Sequence, residues 1–236
     1  MILPLTFRDV SFEIGGIRLI KDLNCTLEAG PRTMILGPNG AGKSLFLRLC
    51  HGLLKPSAGR ISWRGAKGGD PRRDQAMVFQ RPVMLRRSVA ANIAYALKLK
   101  RTPRAERPAI IDDALGHTGL RRLSHMPARV LSTGEQQKLA LARAWALKPQ
   151  VLFLDEPTAS LDPAATRAIE QAIDDIHRSG AKIIMTTHDL AQARRLADEV
   201  LFLHHGRLLE AGPAEDFFAA PKSREAAAFL EGELLW

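Results

Sequence analysis

The chain has 236 residues, 46% of them hydrophobic, which is enough to bury a core in one or two compact units. No apolar run approaches the ~20 residues that a membrane-crossing helix needs, and the opening MILPLTFRDVSFEIGG lacks the basic start of a signal peptide. The formal charge of +9 is spread along the chain in small clusters (Arg72-Arg73, Arg86-Arg87, Arg121-Arg122) with no lysine block, so it reads as a solvated surface, or one beside an anionic membrane, rather than a nucleic-acid interface. Cys25 and Cys50 lack metal-ligand spacing, and a reduced, cytosolic protein is expected.

In chain order, LTFRDVSFEI and IRLIKDLNCTL are strand-like and joined at Gly15-Gly16, which predicts a β-hairpin. Met34-Ile35-Leu36 runs as a buried strand into a glycine-rich turn. Leu45, Phe46, Leu49 and Leu53 then recur at helical spacing until Pro56. Residues 83–148 change character: Ala90, Ile93, Ala94 and Leu97, then Ile110, Ala114 and Leu115, predict helices broken by Pro103, Pro108 and Pro127. Strand signals return at Val151–Leu154, Ile183–Met185 and Val200–Leu203, with helical stretches at 163–177 and 189–197 between them. This alternation argues an α/β fold with a parallel sheet. Both flanks of 83–148 feed that sheet, so the chain is expected to be one domain, 1–236, with a helical insertion there. A last strand pair turns at His205-Gly206, and 213–236 reads as a helical tail.

The turn after the first buried strand is Gly37-Pro38-Asn39-Gly40-Ala41-Gly42-Lys43-Ser44, a complete Walker A pattern, with Leu45 opening the helix behind it. Glycines let backbone N–H groups converge on phosphate oxygens, and a lysine neutralises the β- and γ-phosphates. The Ser44 hydroxyl is suited to Mg²⁺, and the helix N-terminus adds a positive field. At 151–156, four apolar residues deliver Asp155 and Glu156 to the end of a buried strand. The first carboxylate suits Mg²⁺ and the second suits an attacking water.

Further motifs follow the same order as in a known family. LSTGEQQKLALARAWA at 131–146 resembles its signature and the helix after it, and Ser160-Leu161-Asp162 resembles its D-loop. Gln80, after Met77-Val78-Phe79, resembles the Q-loop glutamine, and His188, after Ile183–Thr187, the switch histidine. Over nearly its whole length the chain resembles the ABC ATPase family. The resemblance implies a P-loop NTPase core with an N-terminal antiparallel β subdomain and an inserted helical subdomain. It implies a head-to-tail dimer enclosing two ATP molecules, each on one chain's Walker A and covered by Ser132 and the Gly134 amide of the other. It further implies that His188 touches the γ-phosphate, that Glu156 activates the water, and that Gln80 joins Ser44 and Asp155 at Mg²⁺.

Two positions depart from the family pattern. Thr133 and Glu135 stand where the signature has a glycine and a glutamine. Ser132-Thr133-Gly134-Glu135 is also a capping box worth ~1 kcal/mol, with Glu135 turned back to the backbone, and activity is expected to survive. Where relatives stack an aromatic on adenine, Ile14 stands here, with Phe12 expected on the same strand face. Base selection is therefore expected to be loose, with GTP competing.

The resemblance also implies partners. Membrane permease subunits would be separate chains, served by a solute-binding protein, placing this chain peripherally on the cytoplasmic face of a bacterial inner membrane. Val83, Met84 and Leu85, flanked by Arg86 and Arg87, lie where relatives meet their permeases, and are expected to form that docking surface or to pack within the helical insertion. The bare cassette looks most like the ATPases of bacterial oxyanion importers of the tungstate type. The alternative is a soluble ABC ATPase such as one for iron–sulfur cluster assembly.

Overall fold

The computed structural model describes residues 1–66 and 69–233. Strands β1 (Leu5–Ile14) and β2 (Ile17–Leu27) form the expected antiparallel hairpin. Gly15 and Gly16 close it with φ of 58° and 79°, positive at both turn positions, which matches the twist of the strands it joins. β4 (Ala58–Trp63) pairs with the other edge of β1, giving the order β2-β1-β4. Pairing of β1 with β2 slips at three places, and Asp9 takes a φ of 51°. These irregularities break the alternation of faces. Val10, Ser11 and Phe12 are buried in succession, whereas Glu13 and Ile14 are exposed. Phe12 therefore belongs to the core and does not share a face with Ile14, contrary to the period-two reading.

The second sheet is built from β3 (Thr33–Leu36), β5 (Gln75–Val78), β6 (Val151–Asp155), β7 (Lys182–Thr186), β8 (Glu199–His204) and β9 (Arg207–Pro213), in the order β5-β6-β7-β3-β8-β9. β3 lies parallel to β7 on one side and to β8 on the other. Every residue of β3, β6 and β7 is buried, as continuous aliphatic strands covered on both faces should be. β9 returns antiparallel to β8 through the His205-Gly206 turn, so the sheet is mixed.

The chain divides into two compact units. The first comprises residues 1–72, 153–155 and those from 182 onward, and holds α1 (Lys43–His51), α6 (Leu190–Leu196), α7 (Ala214–Ala219) and α8 (Arg224–Glu231). Phe46 of α1 stacks on Phe7 of β1 at 5.0 Å, both almost fully buried, tying the small sheet to the helix that follows the glycine-rich turn. In the tail, Phe217 and Phe229 close on Phe202 at 5.8 and 5.3 Å, so 214–231 folds as two short helices over β8. The end of the expected tail, 234–236, lies outside the described residues.

The second unit comprises 73–152 and 156–181 and holds α2 (Val89–Leu99), α3 (Arg107–His117), α4 (Thr133–Leu147) and α5 (Pro163–Arg178). Its core is an aliphatic cluster around Val89, Ile93, Leu97, Leu115 and Leu139. Pro108 does not break a helix. It sits in the first turn of α3, where a missing N–H costs nothing. Met84 is 6% exposed within this same core. Among the described residues, no helix is long and apolar enough to cross a membrane.

At the N-terminal ends of β7 and β8, Lys182 is buried completely. Its ammonium donates to Glu199 at 2.8 Å and to the Pro31 carbonyl, while Thr33 donates to the same carboxylate oxygen. Burial pulls the Lys182 ammonium below the usual lysine range, against the opposing pull of Glu199. Removing one partner of such a pair strands the other. Lys182→Ala should therefore cost about 2–4 kcal/mol of unfolding free energy in urea titrations.

Candidate active site

The turn between β3 and α1 is shaped by close backbone approach. Gly37 has a φ of 145°, and a Cβ there would lie 2.0 Å from the Leu203 carbonyl oxygen. Gly206 N–H donates to the Ala41 carbonyl at 3.1 Å, pinning the far side of the turn to the β8–β9 hairpin. The turn ends at Gly42 (φ 100°), the residue preceding α1, which has no side chain to cap the helix. The first turn of α1 also lacks an acidic residue. A helix start without a cap leaves N–H groups facing outward, and with its dipole this is an anion-binding end. Lys43 folds back so that its ammonium donates to the carbonyls of Gly37 at 2.8 Å and Pro38 at 3.1 Å. This holds a positive charge at the mouth of the turn.

In the same unit, Asp155 ends β6 with its Oδ1 accepting from two hydroxyls, Ser44 Oγ at 2.8 Å and Thr186 Oγ1 at 2.9 Å. The carboxylate is 5% exposed at the residue level. Thr186, at the end of β7, was not among the expected site residues. Its signal in the sequence was a polar pair, Thr186-Thr187, ending an otherwise apolar strand. His188 follows on the exposed connection to α6, which Asp189 caps by accepting from Gln192 N–H at 2.9 Å.

The second unit carries the remaining groups. Glu156 has a φ of 46°, a left-handed conformation for a residue with a side chain, which stores ~1–3 kcal/mol of strain. Its Oε2 accepts from Gln80 Nε2 at 3.4 Å. At the start of α4, Ser132 caps the helix in the expected box. Glu135 N–H points at Ser132 Oγ at 3.4 Å, while Ser132 N–H and Oγ both donate to Glu135 Oε2 at 2.8 Å. The start of α4 faces Ser160–Asp162 across a cleft of ≈ 440 Å³. Gly134 matters there because a Cβ would sit 3.3 Å from that of Ala165. Asp162 caps α5 by accepting from Ala164 and Ala165 N–H at 2.9 and 2.8 Å. On the small sheet, Ile14 and Ile17 pair at the hairpin tip and stand 58% and 65% exposed.

The sequence model of the ABC transporter family matches residues 20–159, which takes in the uncapped turn, both carboxylates and the signature. The tungstate uptake system ATP-binding protein TupC of Peptoclostridium acidaminophilum is 42% identical over 92% of this chain and 100% of its own length. The chain belongs to the ABC transporter ATP-binding family. Other ABC proteins agree with this. A phosphate import ATP-binding protein, PstB 2 of Natronomonas pharaonis, is 34% identical over 98% of this chain and 88% of its own. The solved ATP-binding subunit of an ABC transporter superposes with a TM-score of 0.83 at 28% identity, over 97% of this chain and 100% of that one. As an ABC ATPase the chain binds and hydrolyses ATP, on the α/β fold with an antiparallel β sheet that the sequence led us to expect.

The first unit thus brings together Lys43, Ser44 and Asp155, and the second brings Gln80 to Glu156 and Ser132 to Gly134. Because Gly37 is fixed by both its φ and the Leu203 carbonyl, Gly37→Ala must displace the turn before α1. It should lose ATP affinity at least about tenfold in a fluorescent-nucleotide titration, with the far-ultraviolet circular dichroism spectrum unchanged.

Proposed function

We propose that this ABC ATPase powers an importer, as a head-to-tail dimer of itself seated on separate membrane permease subunits at the cytoplasmic face of a bacterial inner membrane. The chain acts as one domain over 1–236, with 83–148 as its helical insertion. Gly37–Ser44 and Leu45 hold the triphosphate, with Lys43 on the β- and γ-phosphates. Glu156 orients the attacking water and takes its proton, and His188 contacts the γ-phosphate. Ser132 and the Gly134 amide cover the γ-phosphate bound to the second copy. To do so, the Ser132 hydroxyl leaves Glu135 for the phosphate, which supports tolerance of the altered signature.

Ser44 and Asp155 offer hard oxygen donors already joined at 2.8 Å, a donor set that fits Mg²⁺, and the Gln80 amide oxygen is the third candidate. When bound there, Mg²⁺ neutralises charge developing on the phosphates. Ile14 supplies an aliphatic rather than aromatic surface for the base, so GTP competes with ATP. Permease docking falls to the loop after β5. Val83 is 72% exposed there beside Arg86 and Arg87, while Met84, which the sequence suggested for the same surface, is spent on the core.

The cargo reading is an oxyanion of the tungstate class, delivered by a solute-binding protein. The observation that carries it is the 42% identity with a tungstate uptake ATPase over that protein's full length, against 34% with a phosphate importer. Both relatives are transport proteins, and nothing favours the iron–sulfur assembly alternative. Cells whose only copy carries Lys43→Ala should lose tungstate uptake and keep phosphate uptake. Loss of phosphate uptake alone would move the cargo to phosphate, and loss of neither would remove the transport reading.

A further inference from the structure

Residues 79–88, between β5 and α2, form neither helix nor strand apart from one isolated bridge at Ser88. Backbone carbonyls in such a segment need partners, and here side chains supply them. Gln137 Nε2 donates to the carbonyls of Phe79 at 3.3 Å and Gln80 at 3.1 Å. Arg143 donates to that of Val83 at 2.9 Å, and Arg129 to that of Met84 at 3.3 Å. Gln137 and Arg143 both stand on α4, the helix that starts at the signature.

Gln137 is the unusual member of this set. It is 1% exposed, and its Oε1 accepts no hydrogen bond. A buried acceptor left without a partner is destabilising, and leucine or methionine would fill the same space without that penalty. Packing alone thus does not account for an amide at this position. Its two donated bonds fix the backbone of Gln80, whose side-chain Nε2 sits 3.4 Å from Glu156 Oε2. That separation is at the outer limit of a hydrogen bond, so a displacement of a few tenths of an ångström makes or breaks it.

We propose that Gln137 is a positioning residue that fixes Gln80 to the signature helix and so sets the contact of the Gln80 amide with Glu156. The proposal rests on the reading of Glu156 as the group that activates water. Motion of α4, or of the loop at Val83, reaches the hydrolytic carboxylate through this bond pair. Gln137 is buried beneath the loop and spends its amide donor on the Phe79 and Gln80 carbonyls. Its loss therefore acts on turnover more than on nucleotide binding, because the residues proposed to hold the triphosphate, Gly37–Ser44, lie elsewhere in the chain and Gln80 adds at most one of three metal donors.

The test is steady-state ATP hydrolysis by the purified full chain, with ATP-analogue affinity and Tm measured alongside. Gln137→Met keeps the volume and removes the donor. It should lower kcat roughly tenfold, with the dissociation constant within about twofold and Tm unchanged. Gln137→Glu, of the same shape, sets a carboxylate against two carbonyls and should lower kcat further. In the Gln80→Ala background, Gln137→Met should have no additional effect, because the side chain it positions is gone. Wild-type kcat in both Gln137 variants overturns the proposal, as does a kcat loss that tracks a lower Tm or adds fully to Gln80→Ala. Wild-type turnover by Glu156→Gln would remove the underlying reading and this proposal with it, an outcome distinct from failure at Gln137 alone.

Discussion

A helix left uncapped at its positive end is a ready anion-binding site, and the first unit keeps α1 in that state. Gly42 gives the helix no cap, its first turn carries no acid, and Lys43 is held back by the turn's own carbonyls. An uncapped helix end is a local instability, since several N–H groups lack partners. The surroundings offset it. Phe46 stacks on Phe7, the Gly206 N–H bonds Ala41, and the Leu203 carbonyl presses against Gly37 so closely that only glycine fits. The flanking parallel strands β7 and β8 fix where β3 ends and hence where the turn begins.

The start of α4 is built the opposite way. Ser132 and Glu135 satisfy each other, so that end is stable alone and carries its own negative charge. One chain therefore contains an open anion-binding helix end and a closed one. The closed end has to exchange an internal partner for an external one before it can serve a phosphate. The two ends differ in what they hold: the first has no side-chain cap, and the second is already occupied by its own carboxylate. On the proposed dimer, an exposed capping interaction worth ~1 kcal/mol is small enough to be exchanged for a well-aligned phosphate.

Much of this was legible in the sequence because the constraints are local. Glycines at fixed offsets, a lysine and serine at a helix start, and two acids behind four aliphatic residues each express chemistry within a few positions of chain. The hairpins at Gly15-Gly16 and His205-Gly206 were readable for the same reason, and the capping box followed from spacing alone. What escaped notice depends on partners distant in sequence. Phe12 was placed with Ile14 by period-two reasoning, which fails where β1 bulges against β2. For Met84 the sequence left docking surface and subdomain packing both open, and the structure places it in the helical core. Thr186 gains its role only when β7 ends beside Asp155, 31 residues earlier in the chain. Gln137 carries no local signal in the sequence, because its place under the loop at Gln80 comes from burial.

The central claim is that the open end of α1 and the closed end of α4 belong to one two-chain ATP site. The most direct measurement is the solution mass of Glu156→Gln by light scattering, with and without Mg-ATP. Blocking hydrolysis while sparing Lys43 and Ser132 should trap the closed pair, so the mass should double when nucleotide is added and return when it is removed. A chain that binds ATP yet keeps the same mass at every concentration would contradict the account, because the signature of one copy would then not be covering the phosphate of another.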